Sequence, residues 1–100
     1  MSFRLSEEGV LMASHAESIT VPNITDGDTA DVTCVADANF IADDPCLLAM
    51  FAGPPIANLG IVGAWVSTES TGVITIRFSA LTGNVTGAAQ KVVVQRFPNT

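Results

Sequence analysis

Residues 73–78, Val73-Ile74-Thr75-Ile76-Arg77-Phe78, alternate without a break. Ile74, Ile76 and Phe78 fall on one side of the chain, and Val73, Thr75 and Arg77 on the other. A β-strand sends successive side chains to opposite faces, so this period of two predicts a strand half-buried against a core. Working outward, the same vocabulary recurs. Upstream, Gly60-Ile61-Val62-Gly63-Ala64-Trp65-Val66-Ser67 follows Cys46-Leu47-Leu48-Ala49-Met50-Phe51 and a Gly53-Pro54-Pro55 turn. The run 46–51 is apolar throughout, which predicts a strand covered on both faces. Residues 29–36 alternate again, with Ala30, Val32 and Cys34 opposed to Asp31 and Thr33, after an Asp26-Gly27-Asp28 turn. Residues 18–22 are short and β-rich, and Pro22 confines them to an edge or a strand end. Residues 37–45 read as a loop. Downstream, residues 91–97 close the chain beyond a loop at 83–87, and 87–91 are the one brief helical possibility.

About six short strands and no amphipathic helix predict an all-β fold: a small antiparallel β-sandwich, jelly-roll or immunoglobulin-like, over residues 17–100. Residues 1–16 are less regular, because Glu7-Glu8-Gly9 interrupts the apolar Phe3, Leu5, Val10, Leu11 and Met12. They read as an N-terminal arm or edge segment that orders on a partner.

One hundred residues make one domain and one core. Charged residues are 14% of the chain, well under the typical ~25%. A monomer so poor in charge shows water much neutral and partly apolar surface, which marks interaction sites. The formal net charge is −6 and the basic residues are Arg4, Arg77, Lys91 and Arg96 alone. Binding nucleic acid directly, or an anionic membrane, needs clustered cations, so both are disfavoured. Charge is also uneven: residues 1–44 hold nine acids and one base, a net of −8, and residues 45–100 one acid and three bases, a net of +2. Two readings follow, pairing of the halves as neighbouring strands or complementary patches that dock copies head to tail.

Cys46 to Val66 is 21 residues without a formal charge, long enough to cross a bilayer. Adjacent prolines in its middle break the helical ladder that hydrocarbon demands, so two strands and a turn are predicted there and no membrane span. Cys34 and Cys46 read as reduced and buried, with a bridge as the lesser alternative. The N-terminus lacks the basic and apolar runs of an export signal.

The chain offers little chemistry. Its one histidine, His15, reads as a solvated surface residue, and no G-x-S-x-G elbow, phosphate loop or H-E-x-x-H pair is present. Cys34 faces a core, where a thiol is inert. No enzyme, cofactor or metal site is predicted: two thiols do not supply four zinc ligands. The aspartates at 26, 28 and 31 do not fit a calcium loop, and Asp37 with Asp43-Asp44 reads as a solvated loop before a cation site. Asn23-Ile24-Thr25 and Asn84-Val85-Thr86 match the glycosylation pattern but read as ordinary loops. Trp65, taken to share a face with Ile61 and Gly63, is either a core residue or an intersubunit anchor, and Met50-Phe51 carries the same two readings.

Three stretches resemble short proteins of tailed bacteriophages: Ile-Thr-Val-Pro-Asn-Ile with the Gly-Asp turn and Ala-Asp-Val-Thr strand (19–33), Gly-Ala-Trp-Val-Ser with Val-Ile-Thr-Ile-Arg-Phe-Ser-Ala-Leu-Thr-Gly (63–67 and 73–83), and Val-Val-Val-Gln-Arg-Phe (92–97). The proteins they are similar to are capsid decoration, or cement, proteins and head- or tail-fibre β-domains. The likeness spans about residues 18–97; the cysteines and the 46–55 segment depart from it. It implies a virion structural protein on the capsid exterior, made in the host cytoplasm. Such a protein forms a homotrimer and bridges major capsid protein subunits for capsid stabilisation. Its candidate interface is Phe3, Arg4, Leu5, Leu11 and Met12 in the arm, with Met50, Phe51, Trp65, Arg77 and Arg96 in the domain. A receptor-binding fibre domain, with carbohydrate as a ligand, and a bacterial surface immunoglobulin-like module are the alternatives.

Overall fold

The computed structural model describes residues 13–40, 46–68 and 70–97, the side chain of Cys46 excepted. Six strands run in chain order: β1 (Ala13–Val21), β2 (Thr29–Thr33), β3 (Cys46–Phe51), β4 (Leu59–Thr68), β5 (Val73–Ala80) and β6 (Ala88–Phe97). They form two three-stranded antiparallel sheets, β1-β6-β3 and β2-β5-β4. Only the β4–β5 hairpin joins sequence neighbours within one sheet. The protein is a small all-β sandwich, 45 × 25 × 20 Å along its principal axes.

The alternation at 73–78 fixes the layer between the sheets. Ile74, Ile76 and Phe78 are fully buried, with Ala30 and Val32 of β2 opposite Phe78 and Ile76 in register. From the other sheet, Ile19, Val21, Val92 and Val94 close on them. β2 pairing runs one residue past the strand end, where the Cys34 N–H donates to the Ile74 carbonyl at 2.8 Å.

Several boundaries differ from the sequence reading. β1 begins at Ala13, not Ser18, so residues 13–16 belong to an edge strand of the sandwich, while 1–12 lie outside the described residues. Residues 88–90 extend β6 rather than forming a helix, because Thr20 and Val21 pair with Ala89 and Ala88. The 37–45 loop contains a 3-10 turn, Ala38–Phe40, whose Phe40 is fully buried. Residues 46–66 form strands and a turn, and no helix among the described residues is long and apolar enough to cross a membrane.

β3 also departs from expectation. Leu47, Ala49 and Phe51 pack on the core, but the other face is open, with Leu48 48% exposed. β3 is an edge strand of a sheet with one face inward, and the described residues cover only that face.

The proline turn and the far loops are pinned by amide side chains. Gln90, buried on β6, accepts the Ile56 N–H at 2.9 Å and donates to the carbonyls of Lys91 and Pro54. Asn23 and Asn84 play reciprocal parts beside the isolated Ile24–Val85 bridge. Asn23 Oδ1 accepts the Gly87 N–H at 2.6 Å, and Asn84 Oδ1 accepts the Asp26 N–H at 2.9 Å. Both N-x-T patterns thus have a local physical role, each asparagine satisfying the other loop's backbone. Gly87 is required there: a Cβ would lie 2.6 Å from the Val21 carbonyl oxygen.

Candidate functional site

Two regions carry unusual chemistry: a polar cluster where β1 lies beside β2, and an uncharged flank where β3 lies beside β4.

The cluster starts from the period of β1. Ala13, His15, Glu17, Ile19 and Val21 share the inward face, so two ionisable groups continue the row that begins with buried Val21 and Ile19. His15 Nδ1 meets Asp37 Oδ2 at 2.8 Å and Nε2 meets Glu17 Oε1 at 2.7 Å. The side chains of His15, Glu17 and Asp37 are only 13%, 20% and 18% exposed. Glu17 Oε1 also accepts the Val35 N–H at 3.0 Å. Asp37 accepts the Asn39 N–H at 2.9 Å, which holds the 3-10 turn, and the edge of the His15 ring meets Phe40 at a 6.2 Å centroid distance.

Burial opposes charge on His15, but hydrogen bonds to Glu17 and Asp37 and their negative charges outweigh it, and its pKa is raised. The Asn39 backbone N–H, with His15, holds the Asp37 carboxyl below its ordinary value. The free thiol of Cys34 is buried beside them, and burial, reinforced by the Glu17 charge, pushes it up to about 11. A nucleophilic cysteine needs the opposite, a thiolate beside an available base. Here the thiol stays protonated and both imidazole nitrogens are engaged by carboxylates. His15 is therefore not the solvated residue its acidic neighbours suggested, and Asp37 is a partner rather than a loop carboxylate in water.

The second region starts from a bulge. In β4, Ile61 pairs with Phe78 and Gly63 with Arg77, leaving Val62 as an extra residue, 59% exposed. The bulge reverses the alternation. Ile61 points inward, whereas Gly63 and Trp65 point outward, so Trp65 does not share a face with Ile61. Trp65 is 38% exposed, with the Arg77 guanidinium 5.1 Å from its ring centroid. Arg77 in turn donates from Nε and Nη2 to Asp31 at 2.8 and 3.0 Å, a two-pronged pair on the outer face. The guanidinium holds Asp31 below its ordinary value.

No Asp, Glu, Lys or Arg occurs in β3 or β4. Both are edge strands, and each offers a row of backbone groups to whatever lies beside it, without the charges that usually discourage pairing. On the outer face of the first sheet, Met50 and Ala16 flank Val93 in register, continuing the apolar surface from Leu48.

Of the proposed interface residues, Trp65 and Arg77 meet on one outer face and Met50 lies on the other. Phe51 does not face outward: it packs on the core. Arg96 turns inward on β6 and donates from Nη1 to the Asn39 carbonyl at 3.1 Å. Phe3, Arg4, Leu5, Leu11 and Met12 lie outside the described residues. Composition and motif search missed the His15 cluster because its members are scattered along the chain; extending the β1 alternation back to residue 13 would have revealed the pair at 15 and 17.

The fold and these two regions define a small antiparallel β-sandwich with one charge-linked and one uncharged flank. No family model, curated protein or solved structure matches the chain.

Proposed function

We propose that this chain is a non-catalytic assembly domain that forms a homotrimer. On this reading it decorates the exterior of a tailed-phage capsid, bridging major capsid protein subunits. The observation that carries the assembly role is the β3/β4 flank: two adjacent edge strands without a charged residue, with Leu48 and Val62 48% and 59% exposed. Apolar surface left in water costs about 25 cal/mol per Å² relative to burial, so association is the favourable outcome. The capsid as partner rests on the sequence resemblance, and the acidic balance of the chain suits a particle exterior away from packaged DNA.

Native mass measurement and particle binding test both levels. A trimer that binds capsids and raises their resistance to heat is expected. A monomer at all concentrations, with no affinity for capsids, overturns the proposal; a trimer without capsid affinity removes the virion role alone. A second reading, a carbohydrate-binding fibre domain, is favoured by the outward Trp65, and glycan binding abolished by Trp65→Ala would establish it instead.

A further inference from the structure

The interior of the β1/β2 flank places three different ligand types around one point. A His15 ring nitrogen, a Glu17 carboxylate oxygen and Cys34 Sγ lie within 4.8 Å of one another, and it is Nε2 that meets Glu17, at 2.7 Å. We propose that His15, Glu17 and Cys34 bind one divalent transition-metal ion, zinc in character, with Asp37 as the outer carboxylate that orients His15.

The donor set argues for zinc over calcium or magnesium. Nitrogen, sulfur and one carboxylate oxygen match a borderline-soft ion, whereas the hard cations take oxygen cages. The tautomer is already arranged. A ligating histidine characteristically donates its second ring N–H to a carboxylate, and His15 Nδ1 lies 2.8 Å from Asp37 Oδ2. At Nε2 the ion would take the place of the proton that now faces Glu17 at 2.7 Å.

The backbone supports the same assignment. Glu17 Oε1 is held by both His15 Nε2 and the Val35 N–H next to Cys34. The strand β1 and the end of β2 belong to different sheets and share no hydrogen-bonded ladder. A metal there would tie the two sheets together at the flank where only side chains join them. Three protein ligands leave a fourth position for water or for a group from a neighbouring chain.

The binding step is a proton exchange. Zn²⁺ enters, the Cys34 S–H and the His15 Nε2–H leave as two protons, and the thiolate and neutral imidazole each donate a lone pair. No electron is transferred.

The test uses the full chain, stripped with a chelator, and titrated with Zn²⁺ and with Co²⁺ under reducing conditions. Uptake of one zinc per chain, a rise in Tm, and a thiolate-to-cobalt charge-transfer band are expected. Cys34→Ser abolishes the band and His15→Ala abolishes stoichiometric uptake. Asp37→Asn, which leaves every ligand in place, weakens binding about ten- to a hundredfold. Cys46→Ser, a ligand-independent control, leaves uptake unchanged. No stoichiometric uptake by the folded wild-type chain overturns the proposal, as does uptake that survives Cys34→Ser and His15→Ala in folded proteins or that is lost with Cys46.

Discussion

Where β1 lies beside β2, the gap between the sheets is closed by His15, Glu17 and Asp37, joined by short charge-assisted hydrogen bonds, and by the buried Cys34 thiol. Where β3 lies beside β4, neither strand has a charged residue and Leu48 and Val62 remain exposed. The first flank satisfies its polar groups within the chain. Among the described residues, none of the second flank's own charges lies on its open edges. On the proposed assembly reading, the difference separates two jobs: holding the sheets together and presenting surface to others. Of the acids in the first half, Glu17 and Asp37 lie in the closed flank, while the neutral strands of the second half form the open one.

Deepening the contrast begins at the closed flank. Phe40 is fully buried under the His15 ring, and Phe40→Ala is expected to remove about 3–5 kcal/mol of stability, read from the urea midpoint. A loss under 1 kcal/mol would mean that this flank is not anchored by the 3-10 turn. Next in size, His15→Ala takes from two partly buried carboxylates their charge-assisted partner and should cost about 1–3 kcal/mol.

That cluster was the least legible part of the sequence. The 73–78 alternation fixed the orientation of β5 from the residues alone, because a period of two has one register against a core. His15 sits in an equally periodic segment, but its polar neighbours disguise the period: a carboxylate on an inward face reads as solvent exposure until Asp37, 22 positions away, is seen to meet it. Trp65 was misplaced for a different reason. One inserted residue at Val62 inverts the side chains from Gly63 to Val66, up to a second register shift before Thr68, and a bulge has no reliable signature in a run as rich in glycine as 60–63. The two-sided apolar character of residues 46–51 holds as chemistry but not as burial, since the described residues cover only one of the two faces.

A pH series separates the flanks further, with a chelator present to keep the protein metal-free. The His15 pKa is raised in the folded state, so its stabilisation is fully present below its ordinary value of 6.5 and is lost as pH rises through the higher folded value. Asp37 is lowered, so its contribution is present above its ordinary 3.8 and is lost as pH falls through the folded value. Unfolding followed between pH 4 and 9 should therefore show stability falling on the alkaline side, and His15→Gln should flatten that limb. An unchanged limb in the variant would assign the pH dependence to other groups.

The smallest expected change in stability is at the open flank. Val62→Lys adds a charge to an exposed bulge and should alter folding stability by no more than about 0.5 kcal/mol, while the proposed trimer is expected to shift toward monomer in sedimentation. A variant that assembles as well as the wild type would move the interface away from the β4 edge.

Amide hydrogen exchange at several protein concentrations tests most directly whether the uncharged flank is where burial is completed. The edge amides of β3 and β4 are expected to exchange more slowly as concentration rises, while those of β1 and β2 keep one rate throughout. Exchange that is indifferent to concentration along β3 and β4 would contradict the account.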